Sequence, residues 1–138
     1  MSQIDNIKNL KKKRKKLINS FKYAFNGLAE AWKKEQNIKI HVLIMIFVII
    51  AGFLLKISIA EWIVCLILFA MVISLELINT AIEITVDIAM PKINERAKFA
   101  KDISAGAVLF SAIISAIIGI IIFLPKIIMF KGWTFVLL

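Results

Sequence analysis

Three acids recur at helical spacing at the end of an otherwise apolar stretch: Glu76, Glu83 and Asp87, with Asn79 and Thr80 between them. At about 100° per residue these five side chains fall within roughly 100° of one another, so a helix through them carries one polar stripe. Glu76 closes the apolar run from Trp62 to Leu75, which sets its carboxylate at or just inside a hydrocarbon boundary. An ionisable group there costs on the order of a few kcal/mol and usually faces a partner or a cavity, so function is the default reading. A carboxylate so placed can accept a proton, and acids further along the stripe can hold a hard cation.

A fourth acid is out of place on its own helix. Residues 17 to 36 read as an amphipathic surface helix, with Leu17, Phe21, Ala24, Phe25, Leu28, Ala31 and Trp32 on one stripe and Lys22, Asn26, Lys33 and Lys34 opposite. Glu35 falls within about 20° of Leu28, on the apolar side. One compensation is a divalent cation shared with Glu83, and oxygen ligands suit Mg²⁺, which takes one or two carboxylates with phosphate oxygens and keeps several waters. The alternative is that Glu35 simply ends the helix near the interface. Lys101, beside Asp102, reads equally as an interfacial anchor or a phosphate ligand. An embedded carboxylate for a proton, acids for a metal and lysines for phosphate are the parts of phosphoryl transfer. The soluble frames for that chemistry are missing: no G-x-x-x-x-G-K-[ST] occurs, and the five glycines form no phosphate-cradling loop.

The elements that must position these groups are membrane helices. Of 138 residues, 61% are hydrophobic and only 20% charged, too apolar for an ordinary soluble domain. Apolar runs at Val42 to Leu55, Trp62 to Leu75 and Ile103 to Leu124 predict three spans, at 38–56, 60–82 and 103–124. Extending the second to membrane length carries Glu76 and Asn79 into or beside the bilayer. Pro125 is expected to end the third helix, 127–138 form a tail without an assigned role, and the small residues Ala105, Ser111, Ala112, Ser115, Ala116 and Gly119 read as a packing face.

Lys and Arg total 18 against nine Asp and Glu, a net charge of +9. The cations cluster before the first span (Lys8, the run Lys11 to Lys16, Lys22, Lys33, Lys34, Lys39) and between the second and third (Lys92, Arg96, Lys98, Lys101). The N-terminus and second loop are therefore expected in the cytoplasm. Cations beside a membrane segment read as attraction to anionic headgroups, not as nucleic-acid binding. The 1–16 stretch is then a basic N-terminal segment, and no short signal-peptide core precedes the first span, which is expected to be retained. Cys65 and His41 are each alone, so an internal disulfide and Cys/His zinc clusters are excluded.

The string Glu76-Leu77-Ile78-Asn79-Thr80-Ala81-Ile82-Glu83, then Val86-Asp87, Ala100-Lys101-Asp102 and Ala105-Gly106-Ala107-Val108, resembles the signature of the bacterial integral-membrane diacylglycerol kinase family. The likeness extends upstream through Phe25-Asn26-Gly27-Leu28 and Ala31-Trp32 to Glu35, covering about residues 16 to 125. Asn37-Ile38 and Lys39-Ile40-His41 look closer to the Gram-positive branch, which phosphorylates undecaprenol. The resemblance implies an all-α homotrimer in the bacterial cell membrane, each chain a single domain with three spans and a surface helix. It would use Mg-ATP to phosphorylate a lipid alcohol, undecaprenol or diacylglycerol, at the cytoplasmic face. By similarity Glu76 is the general base, Asn79 an orienting group, and Glu35 and Glu83 the metal carboxylates. Lys101 and Asp102 match a nucleotide-contacting pair, and Lys16 and Tyr23 match positions near the nucleotide. The loop from Met90 to Phe99 departs from the Glu-Tyr-His wording of many members, and Lys16 stands where some relatives have Arg, offering a point charge instead of a bidentate fork.

Two other classes compete. A proton-coupled transporter would use Glu76 as its titrating group, but gives no reason for Glu35 or for Glu83 two turns on. A non-enzymatic membrane subunit could use the stripe for packing, which ordinarily draws on Ser, Thr and Asn instead of three acids.

Overall fold

The computed structural model describes residues 3–92 and 94–136, and every regular element among them is a helix. The chain forms two compact units, Met1–Glu35 and Gln36–Leu138.

The first unit is one helix, α1 (Gln3–Lys34). It starts well ahead of residue 17, so the basic segment is the beginning of the helix and not a separate tract. The reason is local: Lys, Arg, Asn and Leu without Gly or Pro give the backbone no cause to break. Leu17, Phe21, Phe25, Leu28 and Trp32 are all exposed. Lys33 Nζ donates to Glu30 Oε1 at 2.9 Å, and this holds the Glu30 carboxyl below its usual value. The helix stops at Lys34, and the Glu35 N–H closes the final turn on Ala31 O at 2.8 Å.

The second unit contains α2 (Gln36–Leu54), α3 (Ile59–Ala89) and α4 (Glu95–Val136). Each holds a stretch long and apolar enough to cross a membrane, the one in α4 covering Glu95–Met129. Few of their apolar side chains are buried and many, such as Phe47, Phe53, Leu66 and Phe110, are exposed, as a lipid-facing surface requires. With 19 residues α2 rises about 28 Å, close to a hydrocarbon core. With 31 residues α3 rises about 46 Å and overshoots it. Nothing between Glu83 and Ala89 breaks the helix, so α3 runs on past residue 82 and carries its acids beyond the apolar run.

Helix α3 packs against both α2 and α4. The α2–α3 turn is fixed by two caps. Ile57 N–H bonds to Gly52 O at 3.1 Å and Lys56 N–H to Phe53 O at 3.3 Å, with Lys56 at φ 50°, the pattern of a helix ended by a left-handed residue. Ser58 then opens α3 with a capping box: its hydroxyl accepts from Glu61 N at 3.3 Å, and Glu61 Oε2 accepts from Ser58 N at 2.6 Å. Between α3 and α4, Asn94 Oδ1 caps α4 by accepting from Arg96 N and Ala97 N at 2.9 and 3.2 Å.

Pro125 does not end the third membrane helix; it lies inside α4, which continues to Val136. Proline removes one intrahelical hydrogen bond, and within a membrane-spanning helix that loss is tolerated where breaking the helix would free more backbone groups. The adjacent Lys126 ties this part of α4 to α3 through Glu61 Oε2 at 3.1 Å. Most of the expected tail at 127–138 is therefore helix.

Candidate active site

Helix α3 brings its polar stripe to three levels of exposure. Glu76, Asn79 and Thr80 are buried, Glu83 is half-buried, and Asp87 is exposed. The stripe continues a buried apolar face through Cys65 and Val72, so the same 3.6-residue period that buries the helix aims the acids.

At the deep end, the Glu76 side chain is 3% exposed and its Oε1 lies 3.4 Å from Nε2 of His41 on α2. One turn on, the Thr80 hydroxyl donates to the backbone carbonyl Glu76 O at 3.0 Å. Asn79 joins two helices: its Nδ2 donates to Glu83 Oε1 at 3.1 Å, and its Oδ1 accepts from the Ser104 hydroxyl of α4 at 2.6 Å. Ser104 Oγ is also 2.8 Å from Lys101 O, so one proton serves two acceptors. At the exposed end Lys101 Nζ meets Asp87 Oδ1 at 2.6 Å, linking α4 back to the end of α3.

Two cavities meet at this site. A smaller, mixed one of about 290 Å³ is lined by the polar Asn37, His41, Glu76 and Asn79 together with Val108, Ala112 and other apolar residues. A longer one of about 460 Å³ is almost wholly apolar and runs between α2, α3 and α4, past Val48, Phe69, Val72, Gly119 and Phe123 to Ile127. His41 and Ala112 line both. The small residues Ala112, Ser115, Ala116 and Gly119, expected to form a packing face, also wall this groove.

Of the residues singled out in the sequence, Glu76, Asn79 and Glu83 come together, and Lys101 reaches the stripe through Asp87. Asp102 is exposed at the start of α4. Lys16, Tyr23 and Glu35 belong to the first unit, where Tyr23 is exposed, Lys16 O accepts from Ser20 Oγ at 3.0 Å, and Glu35 follows the end of α1. His41 and Ser104 are additions. In the sequence His41 enters only the exclusion of zinc and the Lys39-Ile40-His41 likeness, with no role at the site, and Ser104 carries no signal beyond its place three residues after Lys101.

Among the described residues no cluster of three or more His, Cys, Asp or Glu could hold a metal ion. A magnesium ion that arrives with phosphate oxygens needs only one or two protein carboxylates, and Glu83, half-buried with one oxygen fixed by Asn79, is a donor of that kind.

A buried carboxylate beside an apolar groove, among helices long enough to cross a membrane, fits a class of integral-membrane proteins that handle the polar end of a lipid. Residues 22–123 match the family model for prokaryotic diacylglycerol kinase, and the chain belongs to that family. It is 46% identical over 111 residues to an undecaprenol kinase of Bacillus subtilis, covering 80% of this chain and 90% of the relative. A diacylglycerol kinase of Synechocystis is 39% identical over 79% of this chain and 63% of its own length, and one from Helicobacter pylori is 31% identical over 75% and 81%. The chain is thus a membrane lipid kinase, a phosphotransferase with an alcohol group as acceptor. That function sets aside the transporter and the non-enzymatic subunit.

Proposed function

We propose that the protein phosphorylates undecaprenol to undecaprenyl phosphate with ATP as donor and diacylglycerol as the poorer acceptor. The observation that carries this reading is the junction of the two cavities beside Glu76, where a hydroxyl can sit against a buried carboxylate while its hydrocarbon stays in the apolar groove. The groove is one track, lined on α4 from Ala112 to Ile127, about 22 Å of helix. The similarity to an undecaprenol kinase over 90% of that enzyme's length supports the choice of undecaprenol.

In the proposed reaction Glu76 takes the proton of the lipid hydroxyl as its oxygen attacks the γ-phosphorus of ATP, and ADP leaves. Asn79 orients Glu83, and by resemblance to the family Glu83 and Glu35 are the carboxylates that would hold magnesium. Bound magnesium would neutralise charge on the phosphates. Lys101 and Asp102, with Lys16 and Tyr23, are assigned to the nucleotide. Positioning then supplies most of the rate enhancement, since phosphoryl transfer asks little covalent chemistry of a protein.

The cation-rich segments support a cytoplasmic N-terminus and α3–α4 loop in the bacterial plasma membrane, where ATP is available. A homotrimer, which the resemblance implies, is part of the same proposal. The test is turnover of undecaprenol and of diacylglycerol, side by side, by purified protein with Mg-ATP. Undecaprenyl phosphate is expected as the favoured product. A higher kcat/KM for diacylglycerol would overturn the substrate choice, and no ATP consumption with either lipid would overturn the reaction.

A further inference from the structure

We propose that His41 is a positioning residue for Glu76, holding one carboxylate oxygen so that the other faces the lipid hydroxyl. This rests on the reading of Glu76 as the base. The pair is tertiary: His41 comes from α2, Glu76 from α3, and Nε2 stands 3.4 Å from Oε1. Both side chains are largely withdrawn from solvent, at 21% and 3% exposure. A carboxylate that deep needs a polar neighbour to offset its desolvation, and the imidazole is the polar group that α2 sets against it.

Its place in the cavities sharpens the argument. His41 is a wall of the apolar groove and of the smaller cavity alike, so it stands where a lipid must pass from hydrocarbon to headgroup. A side chain kept there only for packing would be apolar, like its groove neighbours Ile44 and Val48.

With its proton on Nε2, the imidazole donates toward Oε1 and removes that oxygen from competition. Oε2 is then the acceptor for the hydroxyl proton, and the carboxylate rotamer is fixed before substrate arrives. The 3.4 Å separation exceeds the usual N–H···O range of about 2.7–3.2 Å. Such contacts often tighten only once substrate is bound, so the benefit falls on turnover and not on the binding of either substrate.

The test measures kcat and KM for undecaprenol and ATP in His41→Ala, His41→Met and His41→Gln, each checked for folding by thermal unfolding. Alanine and methionine remove the donor, and methionine keeps the volume. Glutamine restores an N–H near the position of Nε2. His41→Ala and His41→Met are expected to lower kcat about 10- to 100-fold, the scale of a misplaced catalytic group, with both KM values within about twofold. His41→Gln should recover most of the loss. Glu76→Gln is run alongside, and adding His41→Met to it should cost little more, because His41 acts through Glu76.

Wild-type kcat in His41→Met beside an inactive Glu76→Gln would overturn the role of His41 and leave the base intact. A folded His41→Gln no better than His41→Met would overturn it too, as would a further loss in the double variant equal to that in the single one. Near-normal activity in Glu76→Gln would instead overturn the base assignment itself.

Discussion

The hydroxyl of Ser104 lies 2.6 Å from Asn79 Oδ1, so the Asn79 amide spans from α4 to an acid on its own helix. With its oxygen turned to α4, the amide nitrogen donates to Glu83 Oε1 at 3.1 Å. A carboxylate only accepts, so the reverse orientation would oppose two acceptors. Glu83 therefore sets the orientation of the Asn79 amide, and the amide oxygen is left to accept from Ser104 of α4. Asn79→Asp keeps the shape and destroys this logic, placing a second carboxylate against Glu83 and beside a hydroxyl that can satisfy only one of its oxygens. Turnover is expected to fall at least about 10²-fold, the lower range for losing a positioned catalytic group. Ser104→Ala, which merely frees the amide, should cost about 1 kcal/mol of stability and a smaller part of the rate. Steady-state turnover and thermal unfolding of both variants check the order.

Glu76→Gln tests the base without disturbing size or helix. The amide cannot take the hydroxyl proton, so turnover should drop by about 10²- to 10⁴-fold. Mg-ATP binding, measured by nucleotide titration of the purified protein, should change little. Near-normal turnover would remove Glu76 from the chemistry.

Lys101 separates a structural from a nucleotide role. Its ammonium meets Asp87 at 2.6 Å, but the Asp87 side chain is 66% exposed and that of Lys101 32%. An ion pair so open to water contributes at most about 1 kcal/mol. Lys101→Met is therefore expected to shift the unfolding temperature by only a few degrees while raising KM for ATP at least about tenfold, roughly 1.4 kcal/mol of lost phosphate attraction. If stability falls while KM holds, Lys101 is an anchor of the α3–α4 end and nothing more.

What the sequence discloses is what one helix can state by itself. The three spans follow from run length, and the stripe from Glu76 to Asp87 from a period of 3.6, because both are local to one element. His41 and Ser104 stay hidden for the opposite reason: each matters through a contact with α3 from another helix, and no spacing in the chain records that 41 faces 76 or that 104 faces 79. Pro125 misleads because a rule weighted toward helices in water is applied where broken backbone bonds have no water to turn to. The start of α1 is misplaced because a change in composition at residue 17, from basic to amphipathic, is not a change in backbone preference. The small residues of α4 are expected to pack closely, yet Ala105 and Ala116 are exposed, a Cβ on Gly119 would meet nothing within 4 Å, and Ala112 to Gly119 wall a groove.

The α2–α3 turn gives a test of fold independent of chemistry. A Cβ on Gly52 would lie 2.7 Å from Trp62 Cη2 and 3.1 Å from Ile57 Cδ1, so the glycine exists to admit the indole. Phe53 is an aromatic neighbour of that ring, centroid to centroid at 5.1 Å. Gly52→Ala should therefore destabilise the protein by about 1–3 kcal/mol despite the better helix propensity of alanine, because overpacking forces side chains off their rotamers. Four residues later the sign reverses. Lys56 adopts φ 50°, a conformation that costs an L-residue about 1 kcal/mol and glycine almost nothing. Lys56→Gly relieves that strain but loosens the unfolded chain, so a net gain of a few tenths of a kcal/mol is expected. Thermal unfolding in one detergent should thus order the proteins Lys56→Gly, wild type, Gly52→Ala from most to least stable. A Gly52→Ala protein as stable as the wild type would mean that Trp62 does not rest on Gly52.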